Sequence, residues 1–294
     1  LNSALPSVVL EHERYRSVGP RNALTVDVEE HFQVAAFEGQ IGRDDWDGHP
    51  SRVSANTSRV LDLFRAHGVT GTFFVLGWVA ERHPQLVRRI VAEGHELASH
   101  GYDHTRVIYM DAARFREDVT RTKRILEDLG GVSVLGYRAP SYSIGAGNLW
   151  ALDVLQETGH VYSSSIYPIR HDLYGMPEAP RFAFRTRPGA ILEIPVTTVK
   201  VSGRNLPAGG GGYFRLMPYG AFRWALRRVN ESDRQPGMFY FHPWEVDPEQ
   251  PRITGAPLRS RFRHYTNLDT MEARLGRLLT DFGWGRMDEV FSVR

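Results

Sequence analysis

The chain has 294 residues, of which 41% are hydrophobic and none is cysteine, enough apolar material for one large α/β core. Its 36 basic and 34 acidic residues leave a formal charge of +2 with no concentrated basic arm, which argues against nucleic acid as a partner. Without thiols there is neither a disulfide framework nor a thiolate metal site, so a metal would have to be held by His, Asp or Glu.

Residues 1–22 read as a polar leader, with Glu11, His12, Glu13, Arg14 and Arg16 where a signal peptide would be apolar. No run reaches the roughly 20 apolar residues of a membrane span. A soluble, cytoplasmic protein is the expectation, with a trimmed targeting segment as the alternative because the chain opens on Leu1. Residues 23–28 form a β-branched strand running into Asp27, Glu29, Glu30 and His31. Strand alternation puts Asp27 and Glu29 on one face and turns Val26 and Val28 into packing. Residues 40–50 are a loop by composition, 51–67 a helix with Gly68 past its end, and 70–76 a strand. A helix over 83–93 has Pro84 in its first turn and Gly94 after its last. The short strand 95–98 then delivers Ser99-His100-Gly101-Tyr102-Asp103-His104.

A helix over 111–129, stopped by Gly130-Gly131, precedes a strand over 132–137 that ends in Arg138-Ala139-Pro140-Ser141-Tyr142. Next come a helix over 148–157, a strand near 160–164, and extended structure over 191–201 interrupted by Pro195. A Gly-rich loop, 209–212, leads to a helix over 219–229 and a strand over 237–241 that ends in His242-Pro243-Trp244-Glu245. The last helix covers about 268–282, and 284–290 closes the domain. Strands alternating with helices predict parallel strands with helices outside, in a barrel or an open sheet. Asp27/Glu29, His100/His104, Arg138 and His242 each follow a different strand, the pattern of a site built by βα loops at the C-terminal face of a barrel. No repeat or linker divides the chain, so residues 23–294 are read as one domain.

Two histidines and a carboxylate make a three-ligand site with positions left open for water and substrate. An ion there lowers the proton affinity of water and polarises a carbonyl. Asp27 is then available as a base and His242 as an acid. Either histidine motif alone is a weak signal. What carries the reading is the co-occurrence of four polar clusters at strand ends, each of which would otherwise need its own hydrogen-bonding solution. Gly209 to Gly212 is followed by Tyr213-Phe214 rather than Lys-Ser or Lys-Thr, so a flexible or sugar-facing loop is expected instead of a phosphate cradle. Trp46, Trp78 and Trp244 could stack on sugars or serve as packing. Ser141, Ser143 and Ser163 to Ser165 lack a Gly-x-Ser-x-Gly setting, which ranks a serine nucleophile low.

Thr25-Val26-Asp27-Val28-Glu29, Ser99 to His104, Arg138-Ala139-Pro140-Ser141 and Phe241-His242-Pro243-Trp244-Glu245 resemble, in order, the motifs of NodB-homology polysaccharide deacetylases, carbohydrate esterase family 4. More narrowly, Phe73 to Trp78, Gly209 to Phe214 and Arg261-Phe262-Arg263-His264-Tyr265 are similar to the subfamily of exopolysaccharide loci linked to exosortase systems. The resemblance spans about residues 23–290. It implies a single distorted (β/α) barrel and metal-dependent removal of N-acetyl groups from an N-acetylhexosamine polysaccharide or oligosaccharide. The implied ion is divalent, Zn²⁺ first and Co²⁺ second. Carried over, Asp27 is the base, Arg138 orients it, His100 and His104 are metal ligands and His242 is the acid. The N–H near Ser141 helps to hold the oxyanion, and Ser141, Tyr142 and Trp244 form the substrate-binding set.

Two departures stand out. Val28 occupies the place of a second aspartate, which shifts the third ligand to Glu29, with Glu30 competing; the strand-face argument favours Glu29. Ser163 stands where the family pairs an aspartate with the acid histidine, so His242 has a lower pKa, another partner or a reduced role. Two other readings stay open: a cyclic amide or imide hydrolase of the same fold, and a sugar-binding protein with a decayed centre, which Ser163 supports. Oligomeric state is not legible.

Overall fold

The computed structural model describes residues 21–171 and 174–293. Strand β1 (Arg21–Val28) is buried along nearly its whole length, and its two faces differ. Leu24, Val26 and Val28 pack in the layer shared with the outer helices, whereas Ala23, Thr25 and Asp27 look into the curl of the sheet. The period-2 pattern of the sequence therefore separates a greasy outside from a partly polar inside.

After β1 the chain forms α1 (Val53–Ala66), β2 (Thr72–Val75), α2 (Gly77–Arg82), α3 (Pro84–Ala92), β3 (Glu96–Ser99), α4 (Ala112–Gly130), β4 (Gly136–Tyr137), α5 (Trp150–Glu157) and β5 (Tyr162–Ser163). There follow β6 (Phe184–Arg185), β7 (Leu192–Glu193), β8 (Thr198–Val201), β9 (Arg204–Pro207), α6 (Gly211–Leu216), α7 (Tyr219–Glu231) and β10 (Met238–Phe241). The chain ends in α8 (Leu258–Tyr265), α9 (Leu268–Asp281), β11 (Gly283–Gly285) and α10 (Met287–Val290). Helix α4 shows how local chemistry sets the ends: the Asp111 side chain accepts the Arg114 N–H at 2.8 Å, and Gly131 at φ 65° takes the left-handed stop.

The main sheet runs β10-β1-β2-β3-β4-β5-β7-β6, β11 pairs the start of β1, and every pairing is parallel except β6 with β7. This order is a path rather than a ring. It is a curled, incompletely closed barrel with helices outside, as expected for a distorted (β/α) barrel. Phe74, Tyr162, Leu192, Met238 and Tyr240 fill the inside, and Phe73, Val75, Phe239 and Phe241 back onto the helices.

Several expectations need correction. The strand expected over 132–137 is only Gly136–Tyr137, because one ladder step suffices before Arg138 turns inward. The stretch over 191–201 serves two sheets: β7 joins the main one, and β8 pairs with β9 in a separate hairpin. Helices α2 and α8 were not anticipated; each is a short helix (six and eight residues) with too few turns for a clear apolar period. Residues 1–20 of the expected leader lie outside the described residues, and Arg21 and Asn22 are already strand. No described helix is long and apolar enough to cross a membrane.

Candidate functional site

The loops after β1 and β3 bring Glu29, His100 and His104 together, with ligand-type atoms all within 4.8 Å of one another and all three side chains buried. Glu29 Oε2 makes no conventional hydrogen bond despite its burial. What faces it are imidazole nitrogens, His104 Nε2 at 2.9 Å and His100 Nε2 at 3.8 Å. His100 Nδ1 lies 2.9 Å from the carbonyl of Arg138, an acceptor, so Nδ1 carries the hydrogen and Nε2 presents its lone pair to Glu29. Burial would raise the pKa of Glu29, yet the surrounding His104, His242 and His100 hold it down to about 2. Burial outweighs the nearby carboxylates at His100 and lowers it to about 4, so its imidazole is neutral at pH 7. An ionised carboxylate with an orphan oxygen and a neutral imidazole lone pair is the donor set a divalent cation requires. Glu30 is otherwise engaged: its carboxylate accepts the N–H groups of Arg52 (3.0 Å) and Val53 (3.2 Å) at the start of α1. Of the two acids it is Glu29 that stands beside His100 and His104.

Asp27, at the end of β1, receives Arg138 Nη1 at 2.5 Å. The same guanidinium donates to Thr25 Oγ1 (2.8 Å), to Ser164 O (3.2 Å) and to Ser164 Oγ (3.1 Å), and lies 4.0 Å from the centre of the Phe74 ring. A fully buried Arg138 is tolerable because its donors are met, and burial's pull on its pKa is outweighed by Asp27. Its backbone N–H donates to Ser99 O at 2.9 Å, which fixes Arg138 against the strand that carries the histidines.

Strand β10 ends at His242, whose Nε2 lies 3.6 Å from Glu29 Oε1. Its partner is Glu245, not residue 163: Nδ1–H donates to Glu245 Oε1 at 2.9 Å, and the other carboxylate oxygen takes Arg215 Nε from α6 at 2.7 Å. Glu245 and Arg215 are both buried. Burial opposes charge on His242, but Glu29, Glu245 and Asp27 together lift it to about 9. Arg215 and His242 in turn keep Glu245 below the usual carboxylate range against its burial. Sequence reading quoted Glu245 without giving it a role. The signal was there: His-Pro-Trp-Glu is a capping box on a 3-10 turn, with Pro243 in first position and Glu245 also accepting the His242 N–H at 3.1 Å. Arg215, thirty residues earlier, had no such signal. Ser163 instead donates to Ser165 Oγ at 2.8 Å, and the serine run is spent on holding Arg138 and the backbone of Ala139.

Three expectations about substrate contacts change. Trp244 is 6% exposed; it stacks on His264 (4.0 Å) and His242 (5.0 Å) and points Nε1–H at Glu29 Oε1 (3.3 Å). Its ring is largely covered, stacked against the imidazoles of His242 and His264. Trp46 and Trp78 likewise pack edge to face at 5.4 Å. Gly209 to Gly212 is not a flexible loop: Gly209 O accepts the Tyr240 N–H at 2.8 Å, and α6 already begins at Gly211. A Cβ on Gly211 would sit 2.4 Å from Glu245 Oε1, so glycine there is what lets the carboxylate in. Ser141 and Tyr142 occupy the turn after β4 with φ of 52° and 51°. Tyr142 is buried, its hydroxyl lacks a hydrogen-bond partner, and its ring centre lies 5.6 Å from the Arg138 guanidinium.

Fold and site define the class: an open α/β barrel with a His–His–Glu cluster at the carboxyl ends of its strands. Residues 44–162 match the polysaccharide deacetylase family model, and residues 164–292 match a domain of unknown function (DUF3473). A peptidoglycan-N-acetylglucosamine deacetylase of Bacillus cereus is 36% identical over 84 residues, 29% of this chain and 30% of that protein. A chitooligosaccharide deacetylase of Sinorhizobium fredii is 36% identical over 118 residues, 38% of this chain and 49% of that protein. These alignments span less than half the length of the curated relatives. A crystal structure from Mycobacterium smegmatis, assigned to the polysaccharide deacetylases, superposes with a TM-score of 0.60 at 21% identity, covering 96% of this chain and 93% of that one, and so shares the fold. Over residues 44–162 the chain is similar to the polysaccharide deacetylases, the NodB-homology enzymes of carbohydrate esterase family 4. Both departures fall outside the deacetylase match: Val28 and Glu29 precede residue 44, and Ser163 lies between the two matched segments.

Proposed function

We propose that this protein is a divalent-metal-dependent N-deacetylase acting on an N-acetylhexosamine polymer. Glu29, His100 and His104 would hold the ion, Zn²⁺ or Co²⁺. When bound, it supplies Lewis acidity toward the acetyl carbonyl and a water of lowered pKa. Asp27 takes the proton of the attacking water, and Arg138 holds that carboxylate in place. As the water oxygen bonds to the carbonyl carbon and the C–N bond breaks, His242 Nε2 gives its proton to the amine nitrogen. Acetate and the free amine leave. Glu245, itself held by Arg215, keeps the His242 proton on Nδ1 and the Nε2 side toward the reaction. The N–H near Ser141 is assigned to the carbonyl oxygen as it gains charge.

The observation that carries this reading is the convergence of two histidine nitrogens and a partnered His242 on the buried, ionised carboxylate of Glu29. The relatives described as deacetylases of peptidoglycan and chitooligosaccharide support the substrate class. The resemblance at residues 73–78, 209–214 and 261–265 makes bacterial exopolysaccharide fractions a substrate to test beside chito-oligomers. The decayed sugar-binder loses its support, since Glu245 fills the place left by Ser163. The test is acetate release from chito-oligomers and exopolysaccharide fractions. Release should stop on chelation, return with Zn²⁺ or Co²⁺, and fall about 10²–10⁴-fold in Asp27→Asn. Release at the wild-type level in Asp27→Asn would exclude the mechanism.

A further inference from the structure

Between residues 168–170 and 177–181 on one side and the β8–β9 hairpin on the other lies a groove of about 1020 Å³ that the proposed chemistry does not use. Its charge is lopsided: among the described residues, Arg170, Arg181, Lys200 and Arg204 line it against one carboxylate, Glu178. In a chain whose net charge is only +2, that is a local concentration. Arg181 is tied down, donating to Thr198 O at 2.6 Å and Asp233 at 2.9 Å. Among the described residues, Arg170, Lys200 and Arg204 have no carboxylate within ion-pair distance. The two walls are joined, since Asn205 Nδ2 donates to Pro168 O at 3.0 Å, so the groove is built before any ligand arrives.

The groove is continuous in packing with the candidate centre. Ile169 and Tyr213, on its lining, belong to the inner cluster that contains Tyr142, Tyr167 and Tyr240. From there the tyrosines step inward: Tyr167 to Tyr142 at 5.7 Å, Tyr142 to Tyr240 at 4.8 Å, and Tyr240 edge-on to His242 at 5.9 Å. The hydroxyls of Tyr142 and Tyr167 are both buried without a hydrogen-bond partner among the described residues. An open, pre-formed groove lined by several cations is the equipment for a sugar chain that bears carboxylates.

We propose that this groove is a polymer-binding subsite whose ligand is an acidic glycan, a chain alternating N-acetylated and anionic sugars. The inference rests on reading the Asp27–His242 centre as glycan-processing, and it gives a role to the segment after residue 164, which supplies the whole groove. The test compares the binding of two N-acetylated hexasaccharides of equal length, hyaluronan (alternating glucuronate) and chitin (uncharged), by calorimetry on the full chain. At low ionic strength the hyaluronan hexamer should bind at least about 10-fold more tightly, and the advantage should shrink to about 2-fold as salt screens it. Arg170→Glu/Lys200→Glu, one change on each wall, should abolish the preference, and Arg170→Gln/Lys200→Gln should remove part of it, both with an unchanged melting temperature. Equal affinity for the two hexamers, or a preference that survives the charge reversal, would overturn the proposal. So would oligoglutamate of equal charge binding as tightly as hyaluronan. Because binding is read without turnover, hyaluronan binding with no acetate release from any substrate would sink the deacetylase reading and leave the groove standing.

Discussion

The two halves of the candidate centre solve the problem of buried charge in opposite ways. On one side Glu29, His100 and His104 gather a buried carboxylate and two imidazole nitrogens around a space that could hold a cation. On the other, His242, Glu245 and Arg215 complete one another, every charged group meeting its opposite within 2.9 Å. An open set binds something; a closed set positions something. Ligand removal and partner removal should accordingly fail in different ways.

The largest effect is expected on the open side. Glu29→Gln keeps the volume but removes the charge, so purified protein should lose its bound divalent ion by elemental analysis, and acetate release should drop by about 10³-fold or more. A variant that kept one ion per chain would show that the two sides are less different than described. On the closed side, Glu245→Gln should keep the ion yet slow amide cleavage by about 10²-fold, because the amine leaving group needs the His242 proton. An activated aryl acetate, which leaves without help, should be nearly unaffected in the same variant. Ser163→Ala should change neither substrate, and a deficit there as deep as that of Glu245→Gln would return the role to Ser163. Gly211→Ala should mimic Glu245→Gln in part and cost about 1–3 kcal/mol of stability by denaturant titration, since its new Cβ collides with the carboxylate.

The smallest effect lies away from the centre. Burial, aided by Asp288, pushes Glu96 up to about 7, although Thr72 and Tyr162 both hydrogen-bond it. Its folded pKa is above the ordinary 4.5, so between those values the folded chain keeps a proton that the unfolded chain releases. Stability from this group is present below the ordinary value and is lost as pH rises through about 7. Glu96→Gln should therefore flatten the fall in melting temperature between mildly acidic and neutral pH, with no change in bound metal. An unaltered slope would remove Glu96 as its source.

What was legible in the sequence follows the range of the forces involved. Period-2 and helical patterns located β1, β10, α1, α4, α7 and α9, because each buries one long face. Asp27, Glu29, His100, His104, Arg138 and His242 could be named because each sits at a strand end, a place the pattern marks. Short elements escaped: β4 is two residues long, and α8 is largely exposed. Contacts set by the fold alone also escaped. Nothing local to Arg215 announces Glu245, and nothing local to Trp244 announces His264 against its face. Glycines 209–212 suggested mobility, whereas the constraint at 209, 210 and 211 is close approach.

Strand β1 holds Asp27 and is hydrogen-bonded to β10 and β11, partners more than two hundred positions away. Such pairings must close a very long loop before they return any stabilisation, so they are expected late on the folding route. A chain emerging from the ribosome would present His100 and His104 long before His242 could dock beside Glu29. Reactivity would thus be withheld from a partly made chain by the order in which its strands can meet.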